Sequence, residues 1–193
     1  MENNYYIDEY GVKFSKDKKT LKNCPTEITG TYNVPEGVKG IGCKAFCFCK
    51  ELKSINIPYS VLSIKSCAFW NCSGLTNVKI PDSVISIGSA SFYNCVSLES
   101  ITIPVSVTKI KEATFKFCTN LKSVNIPDGV ISIGNEAFKY CTSLTSIEIP
   151  YSVTKIGAAA FDNCDNLKNI FIKTGTKERF VQLGLDTNKL IER

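Results

Sequence analysis

The chain has 193 residues and a formal net charge of +5, with 44% hydrophobic residues, ten cysteines and no histidine. This composition fits one globular domain, and no apolar run approaches the roughly 18 residues of a membrane-spanning helix, so we expect no membrane span. The lysines are scattered along the chain, which predicts a solvated surface and no nucleic-acid interface.

The N-terminal region, residues 1–34, is predicted to form a cap. Residues 12–14 and 20–21 flank a polar turn, a pattern typical of a β-hairpin. Tyr32 and Val34 stand two residues apart just before the first repeat, so the cap is expected to end in a degenerate repeat strand. The first residues lack the basic and apolar regions of a signal peptide. We therefore expect a cytoplasmic protein if the chain is complete, or an export signal that has been removed.

Residues 35–172 consist of six repeats of 23 residues, each beginning with a proline. The repeated unit is P-x-x-V-x-x-I-x-x-x-[AST]-F-x-x-C-x-x-L-x-x-[IV]-x-I. The prolines are Pro35, Pro58, Pro81, Pro104, Pro127 and Pro150. The phenylalanines are Phe46, Phe69, Phe92, Phe115, Phe138 and Phe161. A strict period of this length predicts a solenoid in which each repeat is one coil stacked on its neighbours.

The apolar positions predict the inside of each coil, because identical side chains on successive coils stack in columns. The I-x-I pair alternates apolar and polar residues, which predicts a short strand, and successive strands are expected to pair about 4.8 Å apart in one parallel sheet of at least six strands. The V-x-x-I stretch is predicted to be extended and to turn the chain back. The A-F-x-x-C segment is short and predicts one turn of 3₁₀ helix.

The C-terminal region, residues 173–193, is predicted to form a second cap. Lys173 stands where a seventh proline would fall. Thr176 is expected to cap the N-terminus of a helix over roughly residues 177–183, with Gly184 just beyond its end.

The repeat I-P-x-x-V-x-x-I-G-x-x-A-F-x-x-C-x-x-L-x-x-I-x-I resembles the BspA-like, or Treponema pallidum type, leucine-rich repeat. Residues 127–149 are close to that pattern throughout, and residues 10–21 resemble the lead-in of such domains. The resemblance implies a β-dominated α/β leucine-rich-repeat solenoid of right hand, with the parallel sheet on the concave side and short 3₁₀ or extended segments on the convex side. It also implies a non-catalytic module for adhesion and protein binding, located at the cell surface or secreted.

The ten cysteines are interpreted mainly as structural. Six follow the repeat as a ladder, which favours small, buried, reduced side chains, although neighbouring ladder residues are close enough for disulfides. The ladder residues are Cys49, Cys72, Cys95, Cys118, Cys141 and Cys164. Cys43 and Cys67 differ by one position in neighbouring repeats, so a bridge between them is sterically conceivable. The spacings match no usual zinc motif and there is no histidine, so we expect no metal and no cofactor.

Catalysis is not expected, because the chain lacks histidine, a glycine-rich phosphate loop and any inward-facing pair of carboxylates. Specificity is instead expected at outward positions, which vary from repeat to repeat while the inward positions stay constant. On the concave face the predicted binding residues are Asn56, Tyr59, Lys79, Asp82, Thr102, Asn125, Asp128, Glu148, Tyr151 and Phe171. A second candidate is a row of aromatic residues at the corner beside the cysteine ladder: Phe48, Trp70, Tyr93, Phe117 and Tyr140.

The predicted function is recognition of a protein partner by a monomeric, non-enzymatic module through the concave sheet. Two alternatives stay open at this point. One is a structural spacer, or a fragment of a larger surface protein, and the other is a glycan-binding surface, which would use Phe171 and the rim residues Tyr59 and Tyr151.

Overall fold

The computed structural model describes residues 5–193, in which each repeat forms one coil of a β-solenoid with parallel sheets and very little helix. The predicted fold class is confirmed. In chain order the strands are β1 (Tyr5–Ile7), β2 (Lys13–Ser15), β3 (Thr20–Asn23), β4 (Gly30–Asn33), β5 (Gly40–Ile41), β6 (Leu52–Asn56), β7 (Ser63–Ile64), β8 (Asn77–Lys79), β9 (Ser86–Ile87), β10 (Ser100–Thr102), β11 (Lys109–Ile110), β12 (Ser123–Asn125), β13 (Ser132–Ile133), β14 (Ser146–Glu148), β15 (Lys155–Ile156), β16 (Asn169–Ile172) and β17 (Leu190–Glu192). The helices are α1 (Lys177–Gln182) and a 3₁₀ helix (Thr187–Lys189).

The strands that contain the I-x-I pair, β4 and the even-numbered strands β6 to β16, form the face that we call the concave sheet. Neighbouring strands are parallel and in register one repeat apart, so Ile55 lies opposite Val78. The sequence predicted one continuous sheet, but the hydrogen-bonded ladders form three groups: β4-β6-β8, β10-β12 and β14-β16-β17. The period of the sequence determines which residues face each other, whereas the spacing of each pair of backbones decides whether the ladder closes.

A second parallel sheet was not predicted. The V-x-x-I stretches, read from the sequence as extended turns, pair with each other as β5-β7-β9 and as β11-β13-β15. The N-terminal strands continue the first of these ladders, since β3 pairs in parallel with β5, and β1, β2 and β3 pair antiparallel in that order. The concave sheet is first interrupted between β8 and β10, and the second sheet is interrupted between β9 and β11.

The third side of each coil is the A-F-x-x-C segment, which we call the turn ladder. In the first coil the N–H groups of Ala45, Cys47 and Cys49 each donate to the carbonyl three residues earlier, as in a 3₁₀ helix. The N–H groups of the alternating residues donate to the next coil instead. For example, the Lys44 N–H donates to the carbonyl of Ser66 at 3.2 Å. The predicted 3₁₀ turn therefore exists in its hydrogen bonds but not as an uninterrupted helix.

Left-handed backbone explains this alternation. In every coil two residues of the turn ladder have a positive φ, between 51° and 64°, and each rotates the next N–H group to the opposite side. These residues are Lys44, Phe48, Cys67, Asn71, Ala90, Asn94, Ala113, Phe117, Glu136, Tyr140, Ala159 and Asn163. None of them is glycine, so the conformation carries strain, which the hydrogen bonds to the next coil offset in the first five coils.

The repeated phenylalanines and cysteines lie inside the solenoid, as predicted. Consecutive phenylalanine rings stack nearly parallel, with centroids 5.1 to 5.6 Å apart, and the five from Phe46 to Phe138 are fully buried. Each ladder thiol from Cys72 to Cys164 donates a hydrogen bond to a phenylalanine carbonyl of the preceding coil, at 2.9 to 3.2 Å. The cysteine therefore fills the core and also satisfies a buried backbone acceptor.

The C-terminal cap differs from its prediction in detail. The hydroxyl of Thr176 does not cap α1 but donates to the carbonyl of Lys173 at 2.5 Å. The carboxylate of Glu192, on β17, accepts hydrogen bonds from the first N–H groups of the helix instead. A carboxylate at this end also opposes the positive end of the helix dipole. Gly184, with a φ of 91°, ends the helix as expected.

The last strand, β17, was not predicted from the sequence. It pairs in parallel with β16 and extends the concave sheet. The division into a cap of residues 1–34, repeats at 35–172 and a cap of residues 173–193 stays a proposal.

Ser91 provides a test of packing on the turn ladder. Its hydroxyl is fully buried and has no hydrogen-bond partner among residues 5–193. Because a buried hydroxyl without a partner is costly, we expect Ser91→Ala to stabilise the protein by about 1 kcal/mol in denaturant unfolding. Thr114, one coil later, donates its hydroxyl to the carbonyl of Lys111 at 2.8 Å, so Thr114→Ala should destabilise the protein. Equal effects of the two substitutions would contradict this account.

The ladder thiols provide a pH test. Burial raises the pKa of Cys118 to about 12 and that of Cys164 to about 11, and raises the pKa of Cys72, Cys95 and Cys141. The ordinary value is 9.0, so above it the unfolded chain loses protons that the folded chain retains. The contribution of these thiols to the free energy of unfolding is therefore fully present below pH 9.0. It falls as the pH rises further, by up to about 1.4 kcal/mol per pH unit for each thiol.

Denaturant unfolding between about pH 8 and pH 10 measures this loss of stability. Cys118→Ala removes one titrating thiol and should make the pH dependence shallower, whatever its effect on stability at neutral pH. A free energy of unfolding that is constant over this range would contradict the prediction.

Candidate functional site

The ten predicted binding residues lie on one side of the concave sheet or just beyond its strands. Asn56 and Lys79 are register partners on β6 and β8, and Glu148 and Phe171 are partners on β14 and β16. All ten are exposed except Phe171, which is half-buried. The structure does not gather them into one site but divides seven of them between two clefts.

The larger cleft, which we call the N-terminal cleft, has a volume of about 670 Å³ and lies where the concave sheet is interrupted between β8 and β10. It brings together four predicted residues: Tyr59, Lys79, Asp82 and Thr102. Glu36 also lines it and was not predicted. Glu36 follows the first proline as Tyr59 follows the second, so applying the repeat to the first coil would have found it. The site therefore combines an aromatic ring with charges of both signs.

Tyr59 supplies the aromatic ring of this cleft, and 71% of its surface is exposed. It stands just past the end of β6, where Pro58 ends the strand. Beneath it, Ile57 and Ile80 belong to the buried core and support the floor of the cleft. A large exposed ring on a fixed backbone is a common anchor for a protein partner.

The smaller cleft, the C-terminal cleft, has a volume of about 450 Å³ and brings together Asp128, Glu148 and Tyr151. Lys173 and Arg193 from the C-terminal region also line it. Arg193 forms an ion pair with Glu148, and its guanidinium lies 4.2 Å from the centre of the Phe171 ring. Two predicted binding residues are therefore already occupied by this chain.

Two cations of the C-terminal region also contact Tyr151, although its side chain stays exposed. The Arg179 guanidinium lies 4.7 Å and the Lys173 ammonium 5.3 Å from the centre of its ring, within the range of cation–π attraction. Arg179 also donates a hydrogen bond to the Tyr151 carbonyl at 2.8 Å. The sequence did not predict Lys173 and Arg179 beside Tyr151, because both residues lie outside the repeats. Their positions depend on how the C-terminal region folds back.

The remaining predicted residues line neither cleft. Asn56 donates from its amide to the side-chain oxygen of Asn33 at 2.6 Å, which begins a polar row across the strands. Asn125 is exposed on β12, opposite Thr102 on β10. These two residues border the clefts without forming their walls.

The second candidate surface, the corner aromatics, forms a continuous row of rings. Trp70, Tyr93, Phe117 and Tyr140 contact one another in sequence, with centroids 4.5 to 5.4 Å apart, and all four are half-buried. Phe48 stands apart from this row and is 48% exposed. Because the rings pack on each other along the ladder, they cover the edge of the core more than they present a free patch.

All ten cysteines are free thiols. Three are accessible: Cys43 is exposed, and Cys47 and Cys67 are half-buried. Burial raises the pKa of both Cys47 and Cys67. Among residues 5–193, no group of three or more cysteine or carboxylate side chains is arranged to hold a metal ion. The same residues contain no helix long and apolar enough to cross a bilayer.

Comparison with known proteins identifies a family. Residues 17–130 and 85–180 match the BspA type leucine-rich repeat region, in six copies. No curated protein matches the chain.

Crystal structures of bacterial leucine-rich-repeat proteins are similar to the fold. A leucine-rich cell surface protein from Faecalibacterium prausnitzii is 31% identical, with a TM-score of 0.74 over 89% of this chain and 55% of its own. A leucine-rich repeat protein from Eubacterium ventriosum is 29% identical, with a TM-score of 0.65 over 83% of this chain and 50% of its own. The chain thus spans about half the length of these two proteins. The T. pallidum leucine-rich repeat protein, at 23% identity and a TM-score of 0.71, matches 94% of this chain and 93% of its own and shows the shared fold.

Thiol accessibility tests the placement of the cysteines. In the native protein we expect an alkylating reagent to modify Cys43 first and then Cys47 and Cys67, whose pKa values are raised by burial. The other seven thiols should react only after unfolding. Mass spectrometry of the alkylated protein counts both classes, and Cys43→Ser should remove the fastest site alone. Fewer than ten free thiols in denaturant, without reductant, would show that some are oxidised.

Proposed function

This chain belongs to the BspA-type leucine-rich repeat family, and we propose that it is a non-catalytic binding module that recognises a protein partner through its concave sheet. The observation that carries the proposal is the N-terminal cleft. There Tyr59 is exposed beside Lys79 and Asp82, on a floor of buried isoleucines. An aromatic anchor with polar and charged groups around its edge matches the usual arrangement of a protein interface, in which a polar rim surrounds the central anchor.

The two clefts differ in their readiness to bind. In the C-terminal cleft a partner would have to displace Arg193 from Glu148 and Phe171. In the N-terminal cleft Lys79 and Asp82 form no ion pair within residues 5–193, so their charges are free for a partner. We therefore propose that the partner binds in the N-terminal cleft. Its contacts with the concave sheet would extend as far as Asn125 and Asp128.

The cell surface location named for the Faecalibacterium prausnitzii protein suggests that this chain acts there too, in adhesion or in another contact between cells and proteins. This location is part of the proposal.

A structural spacer is the second candidate function. It is favoured by one observation: the chain spans about half the length of two similar proteins, so its coils would fit within a longer stack. In that case the coils would set the length and curvature of the longer stack, and a partner would bind to another part of that protein. A glycan-binding surface has less support, because cations already contact the rings of Phe171 and Tyr151, and Tyr59 is the one ring of the three without such a contact within residues 5–193.

The test uses a photo-crosslinking amino acid in the N-terminal cleft in place of Thr102, with a second protein carrying it in place of Lys109 on the other sheet. Proteins from the native cells and their surroundings that crosslink only at the cleft are identified by mass spectrometry. Each is then purified and titrated against the unmodified protein.

We expect Tyr59→Ala and Lys79→Glu each to weaken binding of the purified partner at least about tenfold, the loss of one anchor residue at an interface. Lys109→Glu is the matched charge change outside the cleft and should leave affinity unchanged. All three variants should unfold at nearly the wild-type denaturant concentration, because the residues are exposed. Affinity that is insensitive to both cleft substitutions contradicts the proposed site, and the absence of any cleft-specific crosslink favours the spacer.

A further inference from the structure

The turn ladder joins each coil to the next by the same three backbone hydrogen bonds. From the fifth coil, the N–H groups of Glu136, Phe138 and Tyr140 donate to the sixth coil at 2.9, 2.8 and 3.0 Å. The accepting carbonyls belong to Ala158, Ala160 and Asp162. This triplet recurs at all five junctions between the six coils. The same set of three hydrogen bonds to an extended backbone therefore occurs five times in the chain.

The sixth coil has the same three donors, but no coil follows it to accept their hydrogen bonds. The N–H groups of Ala159, Phe161 and Asn163 have no hydrogen-bond partner within residues 5–193. Their backbone conformation nevertheless matches that of the inner coils, since Ala159 and Asn163 have φ values of 55° and 57°. The donors are therefore already aligned for acceptors spaced two residues apart.

A cavity with both apolar and charged walls adjoins these donors. It has a volume of about 320 Å³ and lies between the sixth coil and the segment after α1. Phe161 lines it and is only half-buried, although the five equivalent rings before it are fully buried. One face of the Phe161 ring stacks on Phe138 at 5.4 Å, as in the inner coils. The walls also include Ile156, Leu183 and Leu185.

We propose that this open end of the turn ladder, lined by Ala159, Phe161 and Leu183, is a second docking groove that takes an extended segment of a partner protein. The segment copies the turn of a coil. It supplies carbonyls at residues i, i+2 and i+4, a small residue at i+2, and an aromatic side chain at i+3 that stacks on Phe161. Within the chain, each coil from the second to the sixth satisfies this description for the coil before it.

The occupant is a partner segment and not a second copy of this chain. In a head-to-tail contact the matching acceptors of the first coil would be the carbonyls of Cys43, Ala45 and Cys47. The Ala45 carbonyl already accepts a hydrogen bond from the Cys24 N–H at 2.6 Å, and the N-terminal strands lie beside it. A second copy would have to break this bond to fit.

The charges at the groove favour a basic residue beside the aromatic one. Asp162, Asp186 and Lys189 line the cavity, so carboxylates outnumber ammonium groups there. The fourth and fifth coils have this order, because Lys116 follows Phe115 and Lys139 follows Phe138. The partner segment is thus expected to read small–aromatic–basic.

The probe for this groove is a synthetic peptide with the sequence of residues 134–142 and the change Cys141→Ser, which prevents oxidation. We expect it to shift the amide proton resonances of Ala159, Phe161 and Asn163 downfield in NMR spectra, and to slow their hydrogen exchange, at roughly 1 mM peptide. The same peptide carrying Phe138→Asp should produce neither effect. If the peptide leaves these three amides unchanged, or if the aspartate peptide shifts them equally, the proposal is wrong.

Two protein variants make the test specific. Ala158→Arg fills the groove from its exposed wall and should abolish the shifts, whereas Ser66→Arg adds the same side chain at the equivalent position of the second coil and should not. Shifts that survive Ala158→Arg would overturn the assignment, as would shifts that arise on concentrating the protein without peptide, which would indicate a second copy. Lys79→Glu should leave peptide binding intact, so failure of the groove and failure of the N-terminal cleft can be told apart.

Discussion

The structure depends on the backbone hydrogen bonds that the turn ladder forms between coils. These bonds continue at the levels where the two sheets are interrupted, so they hold the stack together there. Across the break between β9 and β11, the N–H groups of Ala90, Phe92 and Asn94 still donate to the next coil at 2.8 to 2.9 Å. Two residues at fixed positions in each coil are left-handed, and none of them is glycine. In the first five coils the strain is offset because the N–H groups of these residues donate to the next coil and the stacked phenylalanines lie beside them. A single coil would have neither, so the stack forms as a unit or not at all.

This dependence separates the parts of the molecule that are constant from those that vary. The phenylalanine and cysteine columns are constant because each ring stacks on the rings of neighbouring coils and the thiols donate to phenylalanine carbonyls of the preceding coil, so a smaller residue in one coil would leave a cavity against its neighbours. The outward positions have no such partner. Tyr59, Asp82 and Tyr151 occupy equivalent places in their coils yet face different surroundings, since Tyr59 is open and Tyr151 contacts Arg179. Binding specificity is therefore set coil by coil, while stability is shared along the stack.

The two ends of the solenoid are finished in different ways. At the N-terminal end, antiparallel strands extend the second sheet through β3, and Cys24 donates to the first coil. At the C-terminal end, β17 extends the concave sheet, and Glu192 holds the start of α1. No further coil follows the last one, so its three outward N–H donors have no backbone partner within residues 5–193 and Phe161 is less buried than its five counterparts. Repeat proteins need capped ends because an open edge offers the same groups that hold the stack together.

The sequence alone determined the period, the coil, the parallel strands and the inward columns, because each of these follows from identical residues recurring every 23 positions. It also identified four of the residues that line the N-terminal cleft, since outward positions can be read from the same period. Only the tertiary structure decided where the sheets break, that the V-x-x-I stretches form a second sheet, and that Arg193 and Arg179 contact the rings of Phe171 and Tyr151. The physical reason is that a repeat specifies which neighbours meet, whereas these features arise from backbone spacing and from segments outside the repeat, where no second copy exists for comparison.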